Sequence, residues 1–302
     1  MRRTVWLASY PKSGNTWFRM IAANLRRDTP VDINDVPGQG GIASARGRFD
    51  ATMLFPAGLL THEECDRLRP AVHVAAASDD PDAESDNHPG ARVGQIDDVR
   101  FVKTHDAWAV AAEGEEPVLG GAAAAERAIL LVRDPRDVVA SLAHHNRQTI
   151  DQAITFMARP DAALCGRRDR QHNQLRQRLR SWSGYHRSWL EQTVLPLHVL
   201  RYEDLHRDTA VAFAGSLAFA RLDIAGDAIA RAVRFAGFAA LGEQERTSGF
   251  REAPATMIGG RFFRRGVAGG WRDELTDAQV ALIERDHGAM MGRFGYARAG
   301  AA

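Results

Sequence analysis

Residues 9–17 read Ser9-Tyr10-Pro11-Lys12-Ser13-Gly14-Asn15-Thr16-Trp17. They join a short apolar run, Thr4 to Ser9, to TWFRMIAANL, where apolar residues recur at helical spacing. A turn between a strand's end and a helix's start exposes successive backbone N–H groups, and the helix dipole adds partial positive charge, which suits an anion. From the loop alone, an ordinary βα connection in which Gly14 relieves backbone strain is an equally good reading. The lysine narrows it. Of 39 basic residues only Lys12 and Lys103 are lysines. Arginine is a broad planar fork and lysine a compact charge on a flexible stem, so positions that keep lysine against this bias are read first for chemistry. The loop does not fit G-x-x-x-x-G-K-[ST], because Lys12 precedes Gly14 and the five-residue glycine spacing is missing.

The same grammar returns at RAILLV (Arg127 to Val132), RDP (Arg133 to Pro135) and RDVVASLAHHN, with Pro135 where a helix would begin. Further strands are expected at VRFVKT (Val99 to Thr104) and LHVLRY (Leu197 to Tyr202). Strands alternating with helical patterns imply an α/β fold with a central parallel β-sheet flanked by α-helices, in one large domain or two small ones. Between these elements, residues 28–60 are rich in Gly and Pro, and Ser78 to Gly90 is acidic and turn-rich, as a surface loop would be. Thr61-His62-Glu63-Glu64 resembles a capping box opening a short helix. Residues 159–180 include GRRDRQHNQLRQRLR, a basic helical pattern that reads as a solvated face or as a grip on an acidic acceptor.

Composition sets bounds: 45% hydrophobic and 25% charged residues describe a folded chain. A net charge of +1 excludes a nucleic-acid reading based on bulk charge, so an anion site must be local. Cys65 and Cys165 show neither metal-ligand spacing nor a disulfide framework, which points to a reducing, cytoplasmic setting. The apolar run before Tyr10 is too short for a signal peptide, and no stretch approaches the roughly 18 apolar residues of a membrane span. Ala- and Arg-rich, Lys-poor usage suggests a GC-rich bacterial genome.

The order Y-P-K-S-G-N-T-W resembles the 5′-phosphosulfate loop of the cytosolic-type sulfotransferases, which use 3′-phosphoadenosine 5′-phosphosulfate (PAPS). About 120 residues on, that family carries R-[ND]-P-[KR]-D-x-x-x-S, matched in full from Arg133 to Ser141. The resemblance implies a single P-loop-like domain over residues 1–302, in which Arg133 and Ser141 hold the 3′-phosphate; an arginine fork suits that group. It implies that Lys12, Ser13, Gly14, Asn15 and Thr16 hold the 5′-phosphate, while Trp17 and Tyr202, in Tyr202-Glu203-Asp204-Leu205, lie against adenine. The family's closing loop R-K-G-x-x-G-D-W is similar to Arg264-Arg265-Gly266-Val267-Ala268-Gly269-Gly270-Trp271, with Gly270 in place of the acidic residue. Ala236-Gly237-Phe238 stands where the family often has a threonine near adenine.

Lys103-Thr104-His105 matches the family's K-T-H, whose histidine is the general base; the resemblance places Lys12, Lys103, His105 and Ser141 in the catalytic machinery. Asp106 follows where the family often has a hydrophobic residue, so a more polar acceptor entrance is expected. His144-His145 reads as helix packing and pocket lining. Sulfuryl transfer needs no obligatory divalent metal, and no ligand cluster predicts one. The implied reaction moves a sulfuryl group from PAPS to a hydroxyl or amine of a small molecule, glycan or natural product, with acceptor choice in residues 30–97 and 148–180. The alternatives are a small-molecule kinase with a divergent loop, needing ATP and Mg²⁺, and an inactive nucleotide-binding scaffold. The family's dimer motif corresponds to Arg272 to Ala281, where Asp277 and Ala281 replace the expected Val and Glu, which leaves monomer or homodimer open.

Overall fold

The run Arg3–Ser9 is aliphatic and aromatic with little charge, and it forms β1 at the centre of the molecule. A computed structural model describes residues 3–36, 41–78, 95, 96, 98–167, 169, 172–253 and 260–299. In chain order, β1 is followed by α1 (Asn15–Asn24), α2 (Arg46–Met53), α3 (His62–Ser78), β2 (Gln95–Ile96), β3 (Val99–Thr104) and α4 (Gly121–Ala124). Then come β4 (Arg127–Val132), α5 (Pro135–Asn146), α6 (Ile150–Ala158), β5 (Ala163–Leu164), β6 (Gln177–Arg178), α7 (Trp182–Glu191) and β7 (Leu197–Arg201). The chain closes with α8 (Tyr202–Arg207), α9 (Thr209–Phe219), α10 (Gly226–Phe235), α11 (Phe238–Ser248) and α12 (Asp277–Arg293).

The main sheet has the order β2-β3-β1-β4-β7. Its four long strands are parallel, and β2 is antiparallel to β3. Parallel strands need both faces covered, and residue alternation supplies both. Trp6, Ala8, Leu130 and Val132 face a core completed by α5, α6, α7 and α12, with Trp182, Tyr185 and Trp189 fully buried in it. Val5, Leu7, Ile129 and Leu131 face the other way, against α1, α8, α9, α10 and α11. Among the described residues no helix is long and apolar enough to cross a membrane.

Three expectations change in detail. The last long strand ends at Arg201, and Tyr202 opens α8. The capping box at Thr61 forms as expected: Thr61 N–H donates to Glu64 Oε2 (2.7 Å) and Glu64 N–H to Thr61 Oγ1 (3.2 Å). The helix it opens, however, runs 17 residues through Pro70, with Cys65, Val72 and Ala76 buried along it. The basic stretch 159–180 is not helical among its described residues. It forms the antiparallel pair β5–β6, and Arg176 and Arg178 turn to Asp66 on α3 rather than to solvent. The acidic loop expected at Ser78 to Gly90 lies, after Ser78, outside the described residues.

Leu131 sits fully buried on β4, beside the central strand β1, between sheet and helices. Leu131→Ala should cost about 2–5 kcal/mol of stability in chemical denaturation; a loss well under that range would show that this layer can collapse around the missing atoms.

Candidate active site

Register brings the site together. Ala8 pairs with Thr104 and Ser9 with Leu131, so the segments following β1, β3 and β4 leave the same carboxyl edge of the sheet. That edge is where open parallel sheets place ligands. The three segments are Tyr10–Thr16, His105–Asp106 and Arg133–Asp134.

In the first, Gly14 has φ 98° and Lys12 itself has φ 71°. A lysine in the left-handed region costs about 1–2 kcal/mol, and such strain gathers at functional sites. Gly14 is also required sterically, since a Cβ there would lie 2.8 Å from the Tyr202 ring. The bend leaves the first-turn amides of α1 without intrahelical partners. Ser13 Oγ is buried with no hydrogen-bond partner, and Asn15 Oδ1 likewise. Asn15 Nδ2 donates to Leu7 O and Ser9 Oγ, both at 3.1 Å, tying the loop back to β1. An orphaned hydroxyl in a loop of free amides fits an anionic ligand such as phosphate.

Lys12 Nζ lies 4.0 Å over the Phe262 ring and 3.4 Å from His145 Nδ1. Burial, then the charges of Lys103 and Arg133, push the Lys12 ammonium down to about 7. Burial and Arg19 push Lys103 down to about 8. His105 Nδ1 is 2.7 Å from Ser9 O. A carbonyl only accepts, so the ring proton sits on Nδ1 and Nε2 carries the free lone pair. Burial, with Lys103 next, lowers His105 to about 3, so the ring is neutral at physiological pH.

Arg133 stacks 4.3 Å over Tyr202 and donates to Lys12 O (3.2 Å) and Val267 O (3.0 Å). Ser141 lies two turns into α5, partly exposed. Trp17 and Tyr202 meet directly, with centroids 5.7 Å apart, and Trp17 Nε1 donates to Ala236 O. That bond uses the backbone carbonyl of Ala236 and not its side chain. The loop after residue 260 lies over this ground. His206 Nε2 is 2.9 Å from Gly266 O, and the Asp137 carboxylate accepts from the amides of Gly269 (2.7 Å) and Trp271 (2.8 Å). A Cβ at Gly266 would strike Phe238 at 2.2 Å. Arg264 and Arg265 are not turned toward Arg133: they pair with Glu274 and Asp273.

Asp106 is a correction. Instead of making the acceptor entrance polar it is buried, gripped by both terminal nitrogens of Arg69 at 3.1 and 2.5 Å. Sequence reasoning missed four contributors. Phe262 carried no signal, and Glu245, whose carboxylate accepts the amides of Phe262 and Phe263 and so holds that ring in place, carried none either. Asp137 was visible inside the Arg133 motif without a role. His145, read as lining, touches Lys12. A hollow of about 570 Å³, lined in part by Arg46, His62, Cys65, Cys165 and Arg176, does not include Lys12 or His105. No group of His, Cys, Asp or Glu among the described residues is arranged to hold a metal ion.

No curated protein sequence matches the chain significantly. Among solved structures it is similar to the mouse sulfotransferase SULT7A1 complexed with PAP, at 17% identity and a TM-score of 0.55, covering 96% of this chain and 85% of that one. It is similar too to a retinol dehydratase in complex with androsterone and inactive cofactor PAP, at 19% identity and a TM-score of 0.56, covering 96% and 81%. These likenesses establish the shared α/β fold. A family model, the sulfotransferase domain, matches residues 2–295, so this chain belongs to the sulfotransferase domain family.

Proposed function

We propose that this chain transfers a sulfuryl group from PAPS to a hydroxyl or amine of a small-molecule, glycan or natural-product acceptor, working as one domain in the cytoplasm. The observation that carries the reading is the opposition of two groups at one sheet edge. His105, its Nδ1–H fixed on Ser9 O, offers a bare Nε2, and Lys12 stands in a strained loop of unpaired amides around the orphaned Ser13 Oγ. Membership of the sulfotransferase domain family supports it, as does the fold shared with proteins whose structures contain PAP.

PAPS would supply the activated S–O bond. The amides of Ser13, Gly14, Asn15 and Thr16 bind its 5′-phosphate; Arg133 and Ser141 take the 3′-phosphate, and Trp17 with Tyr202 offers adenine an aromatic surface. The loop of Arg264, Arg265 and Gly266 covers that end, its two guanidinium groups exchanging Asp273 and Glu274 for phosphate. His105 Nε2 accepts the acceptor's proton as the acceptor oxygen bonds to sulfur, and the electrons of the breaking S–O bond pass to the departing phosphate oxygen. Lys12 meets that charge: its flexible stem lets the ammonium leave Phe262 and follow the bridging oxygen. Lys103, half-buried beside the base, adds positive charge to the same centre.

The charge state of Lys12 gives a signed pH dependence. Free, its ammonium titrates at about 7; a phosphate dianion beside it favours the charged form and raises that value. Adenosine 3′,5′-bisphosphate should therefore bind with proton uptake above pH 7 and weaken as pH rises, by up to about tenfold per unit. Calorimetry in buffers of different ionisation heat measures this, and Lys12→Met should remove the uptake. In metal-free titrations the bisphosphate should bind far better than ADP, with the preference lost in Arg133→Ala; equal affinities would dismiss the 3′-phosphate assignment. His105→Ala should abolish turnover with bisphosphate affinity intact, and unchanged turnover would remove His105 from the mechanism.

A further inference from the structure

We propose that Arg69 and Asp106 are positioning residues for His105, a buried ion pair that fixes the torsion of the base; this rests on the reading of His105 given above. Every polar atom of Asp106 is engaged. Its N–H donates to Thr104 Oγ1 (3.1 Å) and its carbonyl accepts from Trp189 Nε1 (3.1 Å). Oδ1 accepts from Arg69 (3.1 Å) and from the Arg178 amide (3.0 Å), and Oδ2 accepts from Arg69 at 2.5 Å. One residue further, Ala107 N–H donates to Arg178 O (2.7 Å). The backbone leaving His105 is thus pinned by a two-pronged, directional clamp, and Nδ1 is set 2.7 Å from the Ser9 carbonyl, with the Ser9 hydroxyl farther off at 3.3 Å.

The clamp reaches outward. Arg69 also donates to Arg176 O (3.1 Å) and lies 3.6 Å from Asp66, which in turn binds Arg176 (2.5 Å) and Arg178 (2.9 Å). Asp66 and Arg69 belong to α3, whereas Arg176 and Arg178 flank or form β6. Both segments expected to govern acceptor choice are therefore bolted to the residue beside the base. Apolar residues could fill this space at similar stability, but they would not set an angle. A buried fork of hydrogen bonds does.

The test uses the full chain in two variants. Asp106→Asn keeps the shape and the bond to the Arg178 amide but removes the charge; Arg69→Met combined with Asp106→Leu replaces the pair with apolar side chains, so it decides the matter if the first variant fails to fold. The readouts are the ¹⁵N signature of the His105 imidazole, assigned with His105→Gln, bisphosphate affinity, and kcat. Wild type should show a single Nδ1–H tautomer. Both variants should show mixed tautomers and a kcat lowered about 10- to 100-fold, the cost of a misplaced group, with bisphosphate affinity and KM for PAPS unchanged. A single tautomer with wild-type kcat in either folded variant overturns the proposal. The tautomer is read without any acceptor, so failure of the sulfotransferase reading would appear separately, as wild-type turnover in His105→Ala or none in the native chain.

Discussion

The site depends on the parallel register of β1 between β3 and β4. Because Ala8 stands beside Thr104 and Ser9 beside Leu131, three chain segments far apart in sequence leave the sheet at one edge. A slip of one residue would turn the buried side chains of β1 to the opposite face, and with them the Ser9 carbonyl would lose its place opposite His105. Burial of Trp6 on one side and of Leu7 on the other forbids that slip. The same packing that stabilises the sheet therefore sets the tautomer of His105.

Around that edge the protein gathers cations it does not fully neutralise. The charges of Lys103 and Arg133 act on Lys12, partly countered by Glu252 and Glu245, and burial depresses both lysines. Crowding like charges costs free energy in the ligand-free protein, and a polyanion offsets that cost on binding. Farther out, the cations are matched. Arg69, Arg176 and Arg178 interlock with Asp66 and Asp106, and Arg264 and Arg265 with Asp273 and Glu274. At the centre the two lysines feel Glu252 only at a distance, whereas the surrounding arginines sit in direct ion pairs.

Much of this was legible in the sequence. The four long strands follow from short apolar runs bounded by turn residues, and the start of α5 from Pro135, because proline suits a first turn. Lys12 and Lys103 stood out through residue choice against an arginine background, and His105 through the family resemblance of Lys103-Thr104-His105. What was not legible depended on distance in three dimensions. Asp106 looked like an entrance residue because its partner Arg69 lies 37 positions earlier, on a helix whose length the short capping signal at Thr61 did not reveal. The stretch 159–180 looked helical because arginine favours helices, yet tertiary pairing with Asp66 overrode that propensity. Phe262 had no pattern of its own, and its place over Lys12 is set by Glu245 bonding two backbone amides.

The most direct test of the central claim is a crystal structure of the chain with adenosine 3′,5′-bisphosphate. The account predicts the 5′-phosphate on the amides of Ser13 to Thr16 and Ser13 Oγ, with Lys12 Nζ moved from Phe262 onto it and His105 Nε2 facing the same point. A 5′-phosphate bound elsewhere, or one that leaves Lys12 on Phe262 and His145, would contradict it.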